Sequence, residues 1–156
     1  MLKIMRDKWE KNWKGLESDL SRIADISKLE YKDLVKLTFA RIYNKGDEAG
    51  IHSPYKRLDL THITQIDNGD YQGTLIYLIP FDTYQPSEGE YLMTYVGYGS
   101  CSGCDTLLSI IDYYPCRATE KQVSQLLALC KDIVTNTIKP YNYGWRSEEI
   151  FEVAEV

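Results

Sequence analysis

The hydrophobic pattern of the chain changes period twice, and this constrains the fold more than any other feature. Over residues 1–46 apolar residues recur at intervals of three and four, as along one face of an α-helix. Over residues 56–98 they alternate with polar residues or form short runs, which is typical of β-strands, and over 104–139 the helical spacing returns. The sequence therefore predicts one α+β domain, in which a three-stranded antiparallel meander is flanked by two N-terminal and two C-terminal helices.

Two helices are predicted before the strands. The apolar stripe of the first comprises Trp9, Trp13, Leu16, Leu20 and Ile23. Ser27 and Glu30 have the S-x-x-E spacing of a capping box, in which each side chain bonds the backbone amide of the other residue. This spacing predicts that the second helix starts at this box and ends near Gly46.

Two more helices are predicted after the strands. A short one should run from about Asp105 to Tyr114, because Pro115 cannot continue it. A long one should follow a second capping box, formed by Thr119 and Gln122. Its predicted buried stripe consists of Val123, Leu126, Leu127, Cys130 and Val134. Residues 151–156 fit either an edge strand or a short helix.

A hairpin is predicted at Asn68-Gly69, because this pair between two extended runs favours a two-residue type I′ turn. In that register Ile66 lies opposite Tyr71, and His62 lies opposite Leu75. The hairpin fixes which residues of the first two strands share a face.

The second and third strands complete the meander. Residues 71–81 are apolar on both faces, which predicts a central strand covered on both sides. Residues 91–98 should return antiparallel beside it. This pairing brings the segment Asp70–Gly73 next to the segment Gly99–Cys101 at one end of the sheet. Gly97, Gly99 and Gly103 permit positive φ and a close approach of backbones.

Composition limits the class of protein. With 156 residues, of which 44% are hydrophobic, the chain can bury its own core. A net charge of -5 disfavours nucleic-acid binding, which usually needs a concentrated positive face. The first residues are too short and too charged for a signal peptide, and no apolar run reaches membrane-spanning length. We therefore expect a cytoplasmic protein with reduced thiols.

Two segments, Asp70-Tyr71-Gln72-Gly73 and Tyr98-Gly99-Ser100-Cys101-Ser102-Gly103-Cys104-Asp105, resemble those of small, largely uncharacterised bacteriophage-encoded proteins. Those proteins share D-Y-Q-G and Y-G-S-C-S-G-C-D segments, and the likeness covers roughly residues 65 to 112. It brings no established activity, but it implies a phage-derived protein that acts in the host cytoplasm. The predicted binding residues are Asp70, Tyr71, Gln72, Gly73, Tyr98, Gly99, Ser100, Cys101, Ser102, Gly103, Cys104 and Asp105.

The C-x-x-C pair Cys101 and Cys104 allows four interpretations. The first is structural: small buried thiols that pack a tight strand-to-helix turn. The second is thiol-disulfide chemistry, since a cysteine at a helix N-terminus has a lowered pKa, although Asp105 adds negative charge beside the thiols.

The third interpretation is a zinc site, in which Cys101 and Cys104 would need two further ligands. Cys116, Cys130, His52 and His62 are the candidates. A straight helix would carry Cys116 roughly 15 Å from Cys104, which disfavours the site. The fourth is a cysteine nucleophile, which is disfavoured because both histidines precede the cysteines and His62 is expected in the core.

The preferred hypothesis is a non-enzymatic binding protein that presents the two segments to a host protein, including a component of host defence. No cofactor is expected under this hypothesis. A small thiol-redox or zinc-dependent protein is the alternative, and a small-molecule ligand stays open. Tyr71, Tyr95, Tyr98 and Tyr114 are expected to supply an amphipathic contact surface.

Overall fold

A computed structural model describes residues 2–44, 57–87, 89–111 and 113–138. Its elements in chain order are α1 (Lys3–Ser21), α2 (Tyr31–Phe39), a π-helical turn (Ala40–Asn44), β1 (Thr64–Gly69), β2 (Gly73–Pro80), β3 (Tyr91–Tyr98), α3 (Thr106–Ile110) and α4 (Glu120–Thr135). This confirms the α+β class and the meander flanked by two pairs of helices. Residues 151–156 and His52 lie outside the described residues.

The helices form the core together with one face of the sheet. α1 packs against α4 and the π-helical turn, and α4 also contacts β3. The predicted stripe of α1 is confirmed at Trp9, Leu16 and Leu20, which are buried. Among the described residues, no helix has the length and apolar character needed to cross a membrane.

The predicted cap of α2 is wrong. The capping box is formed by Glu30 and Asp33, so the helix begins at Tyr31. The Ser27 hydroxyl donates a hydrogen bond to the Asp25 carboxylate at 2.6 Å, and the Ser27 amide donates to the same carboxylate. Ser27 is therefore held in a local turn and is not free to cap a helix. The predicted end at Gly46 lies outside the described residues.

The two C-terminal helices differ in how well the sequence predicts them. α4 begins as predicted, because the Thr119 side chain accepts a hydrogen bond from the Gln122 amide and Gln122 reciprocates. Cys130 is fully buried, but Leu127 is only partly buried, and Leu129 takes the more central place. α3 ends at Ile110, four residues earlier than predicted.

The sheet has the predicted order, with β2 between antiparallel partners β1 and β3. β3 has the predicted limits. Tyr77 and Ile79 of β2 point into the core, whereas Ile76 and Leu78 on the other face are half-buried. The prediction that both faces of β2 are covered is therefore only half right.

The predicted β1–β2 register is wrong. Ile66 pairs with Ile76 instead of Tyr71, a shift of five residues, and the hairpin loop consists of residues 70–72. The strands close through Gly69 and Gly73, which pair directly. A Cβ on either glycine would lie 2.7 Å from the Cα of the other, so only glycine allows this approach.

In the observed register His62 and Leu75 do not pair. His62 precedes β1 and is exposed, so it is not the predicted core residue, and Leu75 pairs with Asp67. Side chains alternate between the two faces of a sheet, so a shift by an odd number of residues moves every side chain of β1 to the other face. Asp67 therefore lies on the helix-facing side, and Ile66 lies on the outer face.

Candidate functional site

The two predicted segments do meet at one end of the sheet. Gly73, the first residue of β2, pairs with Tyr98, the last residue of β3. The hairpin loop (residues 70–72) and the cysteine turn (residues 99–105) therefore emerge from neighbouring strands. Tyr71 is 82% exposed at the tip of the hairpin loop, and residues 100–104 are exposed as well.

Asp105 fixes the cysteine turn to the body of the protein. Its side chain is only 5% exposed, and its carboxylate accepts three hydrogen bonds. The donors are the Gly99 amide, the Leu108 amide and the Tyr31 hydroxyl, each at 2.9 Å. Asp105 thus caps α3, holds the end of β3 and contacts α2. It is a positioning residue, since its carboxylate is used inside the protein and not at the surface.

Tyr31 is a functional residue that sequence reasoning missed. Its hydroxyl donates to Asp105 and accepts a hydrogen bond from the Leu107 amide at 3.2 Å. Burial raises the pKa of this hydroxyl to about 12, so it stays protonated and keeps its donor role. The Asp at the start of α3 carries a local N-cap signal, but nothing near Tyr31 in the sequence indicates its partner 74 residues away.

The glycines of the cysteine turn have different roles. A Cβ at Gly99 would lie 2.7 Å from the Cys104 carbonyl carbon and 2.8 Å from its sulfur. At Gly103 the nearest atom is the Cys101 sulfur, at 3.9 Å. Neither glycine adopts positive φ. Gly99 is thus required by close packing, and Gly103 is not.

The prediction that Cys101 and Cys104 are buried is wrong, because both are exposed free thiols. Their sulfur atoms lie 2.6 Å apart, and the Cys101 amide donates a hydrogen bond to the Cys104 sulfur at 3.0 Å. The hydrogen bond from the Cys101 side chain, followed by smaller contributions from nearby backbone groups and Ser100, lowers the pKa of the Cys104 thiol. The pair therefore favours a thiolate at Cys104.

The structure gives little support to a metal or a cysteine–histidine pair. Within the described ranges, no three His, Cys, Asp or Glu residues are grouped to hold a metal ion. Cys130 is fully buried, and burial raises its pKa to about 12. His62 contacts Asp59 at 2.6 Å beyond the far end of β1. Along β2, Leu78, which pairs with Thr64, and Gly73, which pairs with Tyr98, are five residue steps or roughly 16 Å apart, so His62 is remote from the cysteine turn.

A groove lies beside the cysteine turn, between the start of α2, the helix-facing side of the sheet and α3. Its volume is about 390 Å³. The described residues that line it are Leu29, Glu30, Tyr31, Lys32, Gln65, Asp67, Leu75, Tyr77, Tyr98, Asp105, Leu107 and Leu108. The β1–β2 register predicted from the sequence did not indicate this groove, because it placed Asp67 on the opposite side of the sheet from Tyr77.

Asp67 and Tyr98 are joined across the mouth of this groove. The Tyr98 hydroxyl donates to Oδ1 of Asp67 at 2.6 Å. This hydrogen bond is the main cause that raises the pKa of Tyr98 to about 12. Tyr98 is thus a neutral donor that holds the Asp67 carboxylate in place.

The outer face of the sheet carries an apolar row. Ile66, Ile76 and Tyr95 are neighbours on the three strands. Ile66 is 44% and Tyr95 is 43% exposed, and both lie opposite the helices. Side chains of this kind on a sheet face that no described helix covers are typical of a contact surface.

Comparison of the chain with protein-family models, with curated proteins and with solved structures found no match.

Proposed function

We propose that the chain is a non-enzymatic binding protein, whose partner contacts the end of the sheet formed by the hairpin loop and the cysteine turn. The observation that carries this proposal is the Gly73–Tyr98 pairing, which brings both exposed segments to one place. Tyr71 lies at its tip and is 82% exposed. Tyrosine suits such a position, since its ring buries apolar area and its hydroxyl keeps a polar contact.

The anchoring of the cysteine turn supports the same proposal. The Asp105 carboxylate holds Gly99, Leu108 and Tyr31 together, so both ends of the turn are anchored to the body of the protein. A surface that is already ordered loses less conformational entropy on association. The apolar row on the outer face extends the available contact area.

The resemblance to bacteriophage-encoded proteins supports a host protein as the partner, with a component of host defence as a candidate class. Under this proposal the protein acts in the host cytoplasm. The net charge of -5 favours a protein partner over a nucleic acid, since phosphate contacts need basic groups.

A second candidate function is thiol-disulfide exchange, which is favoured by the exposed Cys101–Cys104 pair with its lowered Cys104 pKa. The Cys104 thiolate would attack one sulfur of a substrate disulfide and release the other as a thiolate. Cys101 would then lose its proton and displace the substrate from Cys104. The products are a Cys101–Cys104 disulfide and a substrate with two thiols, so two electrons pass to the substrate.

The test compares two exposed tyrosines at opposite ends of the sheet. Tyr71 lies in the hairpin loop, and Tyr84, which is 93% exposed, lies in the β2–β3 connection. Wild-type protein, Tyr71→Ala and Tyr84→Ala are used to capture partners from host lysate. We expect one stoichiometric partner that Tyr71→Ala loses and Tyr84→Ala retains.

Equal capture by both variants would contradict the proposed surface. Reduction of a model disulfide, abolished by Cys104→Ala, would support thiol-disulfide exchange instead. Cys101→Ala should then trap a mixed disulfide with the substrate, since the second displacement is lost.

A further inference from the structure

Tyr77 lines the groove and carries a buried hydroxyl. Tyr77 is fully buried, and its hydroxyl makes no hydrogen bond to any described residue. Burial raises the pKa of this hydroxyl, and the nearby negative charges of Glu30, Asp33 and Asp67 act in the same direction. A buried hydroxyl without a partner is costly, so a group that bonds to it would recover that cost.

The charges around the groove favour a cationic group. Glu30, Asp67 and Asp105 contribute carboxylates to the lining, whereas Lys32 contributes one ammonium. Asp105 is already occupied by internal donors, and Glu30 accepts a hydrogen bond from the Asp33 amide. Asp67 uses Oδ1 for Tyr98, so its Oδ2 is available at the mouth of the groove.

We propose that this groove binds the guanidinium group of an arginine side chain supplied by the protein partner. The inference rests on the proposed binding function and names the chemistry of the partner. The guanidinium would donate one hydrogen bond to Oδ2 of Asp67 and another to the oxygen of Tyr77. The aliphatic stem of the arginine would lie against Leu75 and Leu107, which line the same groove.

Arginine fits this arrangement better than lysine. Its planar fork carries five N–H donors in fixed directions, so it can reach a carboxylate and a hydroxyl at the same time. It is also less strongly hydrated than an ammonium, which reduces the cost of leaving water. Lys32 opposes any cation by repulsion, which makes good hydrogen-bond geometry more important than charge alone.

The experiment is a titration of the full chain followed by NMR. The probes are N-acetyl-L-arginine methylamide, its lysine counterpart and free L-arginine. We expect saturable shifts at Asp67 and Tyr77 with the blocked arginine, and weaker binding of the blocked lysine. Free L-arginine should bind no more tightly than the blocked form, because its α-carboxylate and α-ammonium have opposite charges whose interactions with Asp67 offset each other.

Two variants and one control separate binding from folding. Asp67→Asn keeps an acceptor for Tyr98, and Tyr77→Phe removes a hydroxyl that bonds to no described residue, so both should fold. Each should weaken the blocked arginine by about fivefold or more, since each removes one hydrogen bond to a charged group. Glu17→Gln, which removes one charge at a separate cavity between α1 and α4, should leave the affinity unchanged.

The outcomes distinguish this inference from the proposed function. Equal binding of arginine and lysine, tighter binding of free L-arginine, or unchanged affinity in both groove variants would overturn the arginine site. If that happens while Tyr71→Ala still loses the partner, only the groove inference fails. If the blocked arginine binds as expected but Tyr71→Ala and Tyr84→Ala capture the same partner equally, the proposed surface fails and the groove site stands.

Discussion

Replacing Asp105 with alanine should destabilise the protein by about 3 to 5 kcal/mol. The substitution leaves the Gly99 amide, the Leu108 amide and the Tyr31 hydroxyl without their acceptor. Loss of a helix N-cap costs about 1 kcal/mol. Each of the other two donors costs about 1 to 3 kcal/mol when it stays buried without a partner. Water can reach part of the exposed turn and bond to a donor there, which reduces this cost. The expected total is therefore below the simple sum.

The measurement is urea unfolding followed by circular dichroism. With a slope of about 2 kcal/mol/M for a chain of this size, a loss of 4 kcal/mol lowers the midpoint by about 2 M. Asp105→Asn should cost less, about 2 kcal/mol, because its carbonyl oxygen still accepts from Tyr31 and Leu108 while its amide opposes the Gly99 N–H.

A double-mutant cycle with Tyr31→Phe tests the reasoning directly. Tyr31→Phe alone removes the bond to Asp105 and leaves the Leu107 amide unpaired, which should cost about 1 to 2 kcal/mol. Because both changes break the same bond, the double variant should lose at least about 1 kcal/mol less than the sum. A loss below about 1 kcal/mol for Asp105→Ala, or strict additivity in the cycle, would refute the anchoring role.

Three further predictions concern the glycines and the cysteines. Gly99→Ala should lower the free energy of unfolding by about 2 kcal/mol because of its contact with Cys104, whereas Gly103→Ala should change it by no more than about 0.5 kcal/mol. Thermal unfolding compares the two variants, and equal losses would contradict the packing argument. The rate at which iodoacetamide alkylates Cys104 should rise at lower pH than for an ordinary thiol, and Cys101→Ala should move this pH profile to higher pH. An unmoved profile would show that Cys101 does not stabilise the thiolate. Cys130 should resist alkylation in the native protein, and Cys130→Ser should cost about 1 to 3 kcal/mol in urea unfolding; rapid native labelling would contradict its burial.

The sequence is sufficient for the parts of the fold that depend on local signals. The reciprocal contacts of Thr119 and Gln122, the limits of β3 and the order of the strands follow from capping and periodicity. The meeting of the hairpin loop and the cysteine turn was also predictable. It depends only on β2 and β3 being antiparallel, so it survives the error in the β1–β2 register.

The parts that were not predictable depend on contacts between distant residues. Asn68-Gly69 is a strong local turn signal, but the direct approach of Gly69 to Gly73 and the row through Ile66 and Ile76 favour another register. The bond between Tyr31 and Asp105 joins residues 74 apart, and no spacing rule indicates it. Exposure of the thiols likewise follows from the three-dimensional shape of the turn and not from its composition.

Gly69 and Gly73 pair directly, so the shape of the groove depends on residues that have no side chain. A mutational scan would therefore find a glycine on which the groove depends. A Cβ at Gly73 would collide with the Asn68 carbonyl and with Gly69, so an alanine there disfavours the observed pairing and leaves the Asn68-Gly69 pair intact. The competing Asn-Gly turn would invert β1, carry Asp67 to the outer face and put Ile66 in its place. An alanine at Gly73 would then remove the carboxylate from the groove without altering any residue that lines it.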